Sequence, residues 1–165
     1  MMSLPKLGPR LQFIFEHLMP GLPVWDVCCD HGYLGMSVLR SGLFPEIHFV
    51  DQVPSIVAKL EAKLAKIAGS EKCRFHALDA SMLQETITGN LVIAGIGGLN
   101  MIQILAKLQK NHLLRTQRIV LSAQKDHEKV KDWFLENQSR FSILQEIFIP
   151  ERGRNRSVFI VNSKS

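Results

Sequence analysis

The sequence predicts an α/β fold: a mostly parallel seven-stranded sheet with helices on both faces and a C-terminal antiparallel hairpin. Apolar runs rich in β-branched residues alternate five times with amphipathic segments of helical periodicity, which is the pattern of a doubly wound parallel sheet. Only a short loop separates the last two apolar runs. It leaves no room for a crossover helix, so these strands should pair antiparallel. With 165 residues, the chain is expected to form one domain over 1–165.

Each element follows from local signals in chain order. Apolar residues at helical spacing predict an N-terminal helix over 7–18, which Pro20 and Pro23 interrupt. The predicted strands are 24–28, 46–50, 72–77, 90–94, 118–122, 142–149 and 157–161, with a basic loop at 151–156. The predicted helices are 33–41, closed by Gly42, then 54–68, ended by Gly69, a short helix or turn at 80–88, and helices at 99–109 and 126–138. Five βα units followed by a hairpin are typical of the class I methyltransferase sheet.

Composition narrows the classes of function. The hydrophobic share of 46% and the charged share of 21% are those of a soluble globular protein. No apolar stretch reaches the roughly 20 residues of a membrane span, and no signal-peptide pattern begins the chain, so we expect a cytoplasmic protein without a membrane partner. Neither the three cysteines nor the histidines show metal-ligand spacing, so no metal is expected. The net charge of +5 is compatible with nucleic-acid binding without requiring it.

The first strand and the turn after it carry the most information. An apolar run contains Asp26, and the following turn holds Asp30, His31 and Gly32. Ligands of parallel α/β sheets bind outside the carboxyl ends of the strands. Two close carboxylates repel a pyrophosphate and suit a cation, so S-adenosylmethionine, with its sulfonium and ammonium, is the predicted cofactor. Asp30 as a helix cap is an equal alternative, and His31 is more typical of a hydrogen-bonding group than of a catalyst.

Acids also end the next two strands. Asp51 lies about 25 residues after Asp26, where an acid in dinucleotide-type folds hydrogen-bonds the ribose hydroxyls. Asp79 can accept the adenine amino group while a neighbouring backbone N–H meets a ring nitrogen. The adjacent residues Gln52 and Ala80 complete this part of the predicted cofactor site. Any one of these acids could be a solvated strand end, but acids after three successive strands indicate a common site.

A second glycine-rich turn and a set of basic residues complete the candidates. We expect Gly95 and Gly97 to bring the backbone close to the cofactor and Gly98 to face the substrate, although a plain strand-to-helix corner is the alternative. No Lys-Ser/Thr pair follows, so this turn is not a phosphate loop. The residues predicted to form a phosphate-gripping rim are Arg10, Lys125, Arg152, Arg154 and Arg156. A solvated hairpin tip is the alternative interpretation of the last three.

Two of these segments resemble a known family. Residues 26–34, Asp-Val-Cys-Cys-Asp-His-Gly-Tyr-Leu, resemble the D-I-G-S-D-H-A-Y-L segment of the bacterial tRNA (adenine-22-N1)-methyltransferase family. Residues 93–98 resemble the I-A-G-M-G-G turn of the same family, and the resemblance extends from Arg10 to the last strand. It implies a Rossmann-like class I methyltransferase fold, S-adenosylmethionine as methyl donor and N1 of a tRNA adenosine as acceptor.

The resemblance also implies roles for single residues. Asp26, Asp30 and Gly32 match the first cofactor motif of the family. Asp51 matches its ribose acid and Asp79 its adenine-binding acid or amide. The family turn beside the transferred methyl group is matched by Gly95, Gly97 and Gly98. The basic residue of its first helix is matched by Arg10.

Departures from the family pattern are equally specific. Cys28, which is included in the predicted cofactor site, stands where the family has a glycine, and Gly35 stands where it has a proline. The fifth strand runs into Ser-Ala-Gln-Lys at 122–125 rather than a Gln-Pro-Asn-like stretch. The helical C-terminal domain of the family is absent from these 165 residues.

These observations predict an RNA adenine-N1 methyltransferase that acts on tRNA as a monomer or weak homodimer. Asp30 is the predicted catalytic residue: it accepts a hydrogen bond from the exocyclic amine of adenine and takes the surplus proton. The target base must be unpaired or flipped, because N1 lies on the Watson–Crick edge. Two other functions stay open. One is methylation of a small molecule or protein by the same fold, and the other is a non-catalytic S-adenosylmethionine-binding remnant.

Overall fold

A seven-stranded sheet forms the centre of the structure, a computed structural model that describes residues 6–165. The strands are β1 (Val24–Val27), β2 (Ile47–Asp51), β3 (Cys73–Ala77), β4 (Ile87–Ile96), β5 (Leu114–Ala123), β6 (Phe141–Glu151) and β7 (Arg154–Ser163). The helices are α1 (Pro9–Glu16), α2 (Tyr33–Ser41), α3 (Pro54–Leu64), α4 (Gly98–Lys110) and α5 (His127–Glu136), with short 3-10 turns at Ser70–Lys72 and Ala80–Met82.

The strand order confirms the predicted fold class. The order across the sheet is β3-β2-β1-β4-β5-β7-β6, with β1 to β5 parallel and β7 antiparallel to both of its neighbours. The chain winds outward from β1 to β3 and then returns to place β4 on the other side of β1. This reversal is a topological switch point, and it opens a crevice at the carboxyl ends of β1 and β4.

Helices cover both faces of the sheet, because successive strand residues point to opposite sides. On one face, Leu91 of β4 belongs to a buried cluster with residues of α4 and α5, such as Leu105 and Phe134. On the other face, Val92 packs in a cluster with residues of α1, α2 and α3, including Leu64. One face of α3 and one face of α4 are exposed to solvent. None of the described helices is long and apolar enough to cross a membrane.

The structure corrects several predicted boundaries. β4 begins at Ile87 rather than residue 90, because Gly89, with φ of +75°, breaks the apolar pattern without ending the strand. β5 likewise begins at Leu114, and its first residues pair with that early part of β4. The predicted helix over 54–68 ends at Leu64, and the helix or turn at 80–88 is only a single 3-10 turn.

The C-terminal hairpin is tighter than predicted. The expected loop at 151–156 is only Arg152 and Gly153, and both have positive φ, +49° and +77°. Two such residues form the type I′ turn that suits the twist of paired strands. β6 therefore extends to Glu151, and β7 begins at Arg154. The basic residues of this hairpin reach the carboxyl edge of the parallel strands.

Candidate active site

A cavity of about 650 Å³ lies at the switch point. It is bounded by the ends of β1, β2 and β4, the segment after β3, and the β6–β7 hairpin. The predicted site residues that line it are Arg10, Cys28, Asp30, Asp51, Gln52, Asp79, Ala80, Gly95, Arg152 and Arg156. The fold thus brings together acids that are far apart in the chain, with arginines on the opposite wall.

The first turn holds two non-glycine residues in left-handed backbone conformations. Cys28 has φ of +63° and Asp30 has φ of +48°, and Gly32 follows at +73°. The Cys28 N–H donates to the carbonyl of Val50 at 2.8 Å, which ties the turn to β2. A side chain at positive φ costs about 1–2 kcal/mol, so the conformation explains the family glycine at this position. Cys28 adopts this left-handed conformation despite its cost in free energy.

Asp30 does not cap the helix that follows it. The N-cap position of α2 is Gly32, and no side chain makes a capping hydrogen bond there. The capping interpretation is therefore wrong for the structure. The Asp30 carboxylate is instead exposed, with Oδ2 3.9 Å from Nε2 of His31, and it lines both the main cavity and a smaller neighbouring hollow.

The smaller hollow, about 260 Å³, lies on the outer side of Asp30. The rings of His31 and Tyr33 stack at its edge with centroids 5.4 Å apart, and Tyr33 is 40% exposed. Lys59 and Lys63 of α3 line the same hollow. Exposed aromatic faces beside cations suit a nucleobase and its phosphate.

Asp51 is held at the end of β2 by its own turn. Its Oδ2 accepts from the Asp30 N–H at 3.2 Å, and its Oδ1 accepts from the Val53 N–H at 3.0 Å. Each carboxylate oxygen has a second lone pair free for a further donor. Asp51 therefore links two walls of the cavity and still offers oxygens to a ligand hydroxyl.

Asp79 is fixed in a similar way after β3. Its Oδ1 accepts from the Ser81 N–H at 2.9 Å and so caps the 3-10 turn at Ala80–Met82. The bond orients the carboxylate at the cavity wall, and Oδ2 offers lone pairs to a ligand donor. A ligand that spans the cavity meets Asp51 and Asp79 on neighbouring strands.

Asp26 lies beneath the cavity rather than on its wall. The residue is only 5% exposed, and Oδ2 has no hydrogen-bond partner among the described residues. Burial is the main cause that raises the pKa of Asp26 to about 7; the Gly35 N–H lowers it and the Asp51 charge raises it. An unpartnered carboxylate oxygen below an acidic cavity fits a cationic ligand group above it.

Asp26 predicts a pH dependence of folding stability. The folded chain holds this proton more tightly than the unfolded chain, whose Asp titrates near 3.8. Stability should therefore fall as the pH rises from the unfolded value to the folded one, and level off above about 7. Asp26→Asn removes the group, so its melting temperature should fall less than the wild-type value between about pH 5 and about pH 8. The same pH dependence of the melting temperature in both proteins would contradict the raised pKa of Asp26.

The three glycines around the end of β4 and the start of α4 have three different structural roles. Gly95, with φ of +82°, forms a bulge in β4 and lines the cavity. Gly97 is the N-cap of α4, beside the side chain of Lys125. Gly98 is buried against α5, because an added Cβ would lie 2.5 Å from the Asp126 carbonyl oxygen. This placement replaces the predicted substrate contact of Gly98 with a packing role.

Substitution of Gly98 tests that packing role. Gly98→Ala should lower the free energy of unfolding by about 1–3 kcal/mol, because the Asp126 backbone cannot move aside cheaply. Gly97→Ala is the matched control, since its Cβ would meet only the flexible Lys125 Cε at 3.3 Å. It should lose about 0.5 kcal/mol. Urea denaturation measures both, and equal stability of the two variants would contradict the packing role.

The predicted basic rim is only partly assembled. Arg152 and Arg156 line the cavity, and Arg10 lines it while its Nε donates to Glu151 Oε2 at 3.2 Å. The hairpin is therefore more than a solvated tip. Lys125 and Arg154 are exposed and lie outside the cavity lining.

Polar residues that sequence reasoning missed also face the cavity. Asn100 and Gln103 of α4, three residues apart on one helix face, line it together with Gln124 after β5. In the sequence they look like the solvent face of an amphipathic helix. The only available signal is their position in the first two turns after the glycine-rich turn.

The strand order and the switch-point cavity with acids after three strands define a Rossmann-like class I methyltransferase domain. The chain matches the family described as "Methyltransferase domain" over residues 7–159, and it belongs to that family.

Related proteins agree with this family. A Mycoplasma pneumoniae protein described as "Putative tRNA methyltransferase" is 30% identical over 140 residues, which cover 78% of this chain and 58% of that protein. This chain therefore spans less than two thirds of the length of that curated relative.

Two solved structures share the fold. The B. subtilis m1A22 tRNA methyltransferase TrmK superposes with a TM-score of 0.82 at 18% identity, over 98% of this chain and 68% of that chain. M. capricolum TrmK, solved with S-adenosyl-homocysteine, superposes with a TM-score of 0.79 at 15% identity, over 96% of this chain and 69% of that one.

Proposed function

We propose that this chain is the catalytic domain of an S-adenosylmethionine-dependent methyltransferase that modifies N1 of a tRNA adenosine, at position 22. The observation that carries the proposal is the switch-point cavity, in which Asp30, Asp51 and Asp79 face a wall with Arg152 and Arg156. The structurally similar B. subtilis TrmK is an m1A22 tRNA methyltransferase, which supports the same acceptor here.

The acids of the cavity suit the donor. Asp51 would hold the ribose hydroxyls, because two vicinal donors can share one carboxylate. Asp79 would accept the adenine amino group, next to the backbone of Ala80. Asp26 and Asp30 would attract the ammonium of the methionine part. When bound, S-adenosylmethionine supplies the electrophilic methyl group.

Asp30 has the placement needed to handle a proton. Neutral adenine N1 carries a lone pair, so the reaction needs alignment of the two partners more than activation of the nucleophile. Methylation leaves a surplus proton on the exocyclic nitrogen. The exposed Asp30 carboxylate, which lines both hollows, would hydrogen-bond this amine and take the proton.

The outer hollow suits the target base. An unpaired adenine could stack on the Tyr33 and His31 rings with N1 directed past Asp30 into the main cavity. Lys59 and Lys63 would neutralise phosphates on this side, and the arginines of the hairpin those on the other. All of these residues come from one chain, so the proposal needs only a monomer, acting on cytoplasmic tRNA.

Methylation of defined transcripts tests the proposal. The purified chain is incubated with labelled S-adenosylmethionine and an unmodified tRNA carrying A22, and nucleosides are identified by mass spectrometry. The matched control is the same tRNA with G22. We expect 1-methyladenosine only from the A22 transcript, at a rate that falls with added salt. Equal labelling of both transcripts, or none, would contradict the proposal.

Calorimetry with S-adenosylmethionine distinguishes the remaining possibilities. Binding without turnover on any tRNA would indicate another acceptor or a cofactor-binding protein without catalysis. Absence of binding would refute the cofactor and the function together.

A further inference from the structure

The fold brings together two histidines that lie 28 residues apart in the chain. His48 is in β2 and His76 in β3, and parallel pairing with a two-residue offset puts both on the same sheet face. Nδ1 of His48 lies 2.9 Å from Nε2 of His76. Glu85, in the segment before β4, places Oε1 3.9 Å from Nδ1 of His76. None of these residues lines the cavity described above.

The hydrogen bonds around His48 determine which of its nitrogens is free. Nε2 of His48 lies against Oε1 of Glu46, which can only accept, so Nε2 carries the proton and donates. Arg74 pairs with the second oxygen of Glu46 at 3.5 Å and keeps that carboxylate in place. Nδ1 of a neutral His48 therefore presents a lone pair to His76.

These hydrogen bonds leave two lone pairs facing each other between His76 and Glu85. If His76 donates from Nε2 to His48, then its own Nδ1 presents a lone pair to the Glu85 carboxylate. Two lone-pair groups then face one another across 3.9 Å with no proton between them. A cation bound here would displace the proton between the two rings and accept one lone pair from each ring and one from Glu85.

We propose that His48, His76 and Glu85 form a binding site for a divalent transition-metal ion, with Zn²⁺ as the best fit. One nitrogen from each ring and a carboxylate oxygen all lie within 4.8 Å of one another. Zn²⁺ takes imidazole and carboxylate ligands at about 2.0–2.2 Å, so movement of the exposed Glu85 side chain closes the site. A water molecule would complete four-coordination.

The surroundings resemble an established kind of zinc environment. A carboxylate behind a ligating histidine, as Glu46 stands behind His48, fixes the ring and its tautomer. The Trp25 ring stacks on the His48 ring, with 3.6 Å between the ring centroids, and so restricts the orientation of the imidazole. Burial lowers the pKa of both His48 and His76, more than the nearby glutamates raise it, so both rings are neutral ligands near neutral pH.

The proposed ion would link the edge strand β3 to β2. Asp51 and Asp79 each follow one of the two histidines by three residues, so the ion would brace the strands that carry these cavity acids. The proposed metal site does not depend on the proposed function, because none of its three residues lines the cavity.

Zinc binding to the full chain, without an affinity tag and after chelator dialysis, tests the proposal. Calorimetric titration and native mass spectrometry should show one Zn²⁺ per chain, and Zn²⁺ should raise the melting temperature. His76→Gln should abolish binding. Glu85→Gln, at an exposed position where folding is not at risk, should weaken it by about tenfold or more.

The matched control is His112→Asn. His112 is exposed and has φ of +59°, which Asn tolerates, so this variant removes one histidine without touching the cluster. It should bind Zn²⁺ like the wild type. Absence of uptake by the wild type would overturn the proposal. Equal uptake by Glu85→Gln would also overturn it and would point to the surface group of His127, Glu128 and Glu146.

Discussion

Replacement of Asp30 by Asn is expected to lower methyl-transfer turnover by at least about 100-fold, the usual size of a general-base contribution. S-Adenosylmethionine affinity should change far less, because the Asp51 and Asp79 carboxylates stay in place. The amide keeps the size of the side chain but cannot take a proton from the adenine amine. Single-turnover rates on an A22 tRNA, alongside calorimetric titration of the cofactor, separate the two effects.

Asn is the suitable substitute at this position because the backbone of Asp30 is left-handed, with φ of +48°. Asn tolerates that conformation better than Ala, so a loss of activity will not reflect a distorted turn. Asp126→Asn is the matched control: it has φ of +59° and lies outside the cavity lining. Near-normal turnover by Asp30→Asn would refute the proposed role in proton transfer.

The second large effect is expected for Asp51→Ala, which should weaken S-adenosylmethionine binding by about 10- to 100-fold. Hydrogen bonds to a charged group contribute about 1.5–3 kcal/mol, which corresponds to a change of this size. The variant also leaves the Asp30 and Val53 N–H groups without their acceptor, so the cavity wall loosens. Isothermal titration of the folded variant measures the change in affinity.

Asp132→Ala is the control for net charge. Asp132 is exposed on α5, so its loss changes the charge of the chain by the same amount without touching the cavity. Its affinity should equal that of the wild type. Unchanged affinity in Asp51→Ala would place the ribose elsewhere and would argue against the proposed cofactor orientation.

The sequence predicted the fold well where local signals were strong. The alternation of apolar runs with amphipathic helices predicted the parallel sheet, and the short loop before β7 predicted the hairpin. Gly89 is an instructive failure: its positive φ interrupts the apolar pattern, yet contacts with the neighbouring strand β5 on both sides of it keep it inside β4. A pattern along one strand does not reveal such a contact with another segment.

The site was predictable to the extent that it sits at strand ends. Acids after β1, β2 and β3 converge because parallel strands share one carboxyl edge, and this needs no side-chain detail. Gly98 shows the limit, because its contact with Asp126 depends on how α4 packs on α5. His48 and His76 show it again: their proximity depends on strand register, which the spacing of 28 residues conceals.

The insertion of β7 between β5 and β6 has a consequence for biosynthesis. The seventh strand of the sheet occupies an interior place, so one edge of β5 lacks a partner strand until about residue 163 has left the ribosome. The nascent chain can build its first half early, but the hairpin wall of the cavity forms only afterwards. Translation must therefore pass β7 before the cavity is complete, and a pause just before that point would leave the unpaired edge of β5 open to aggregation.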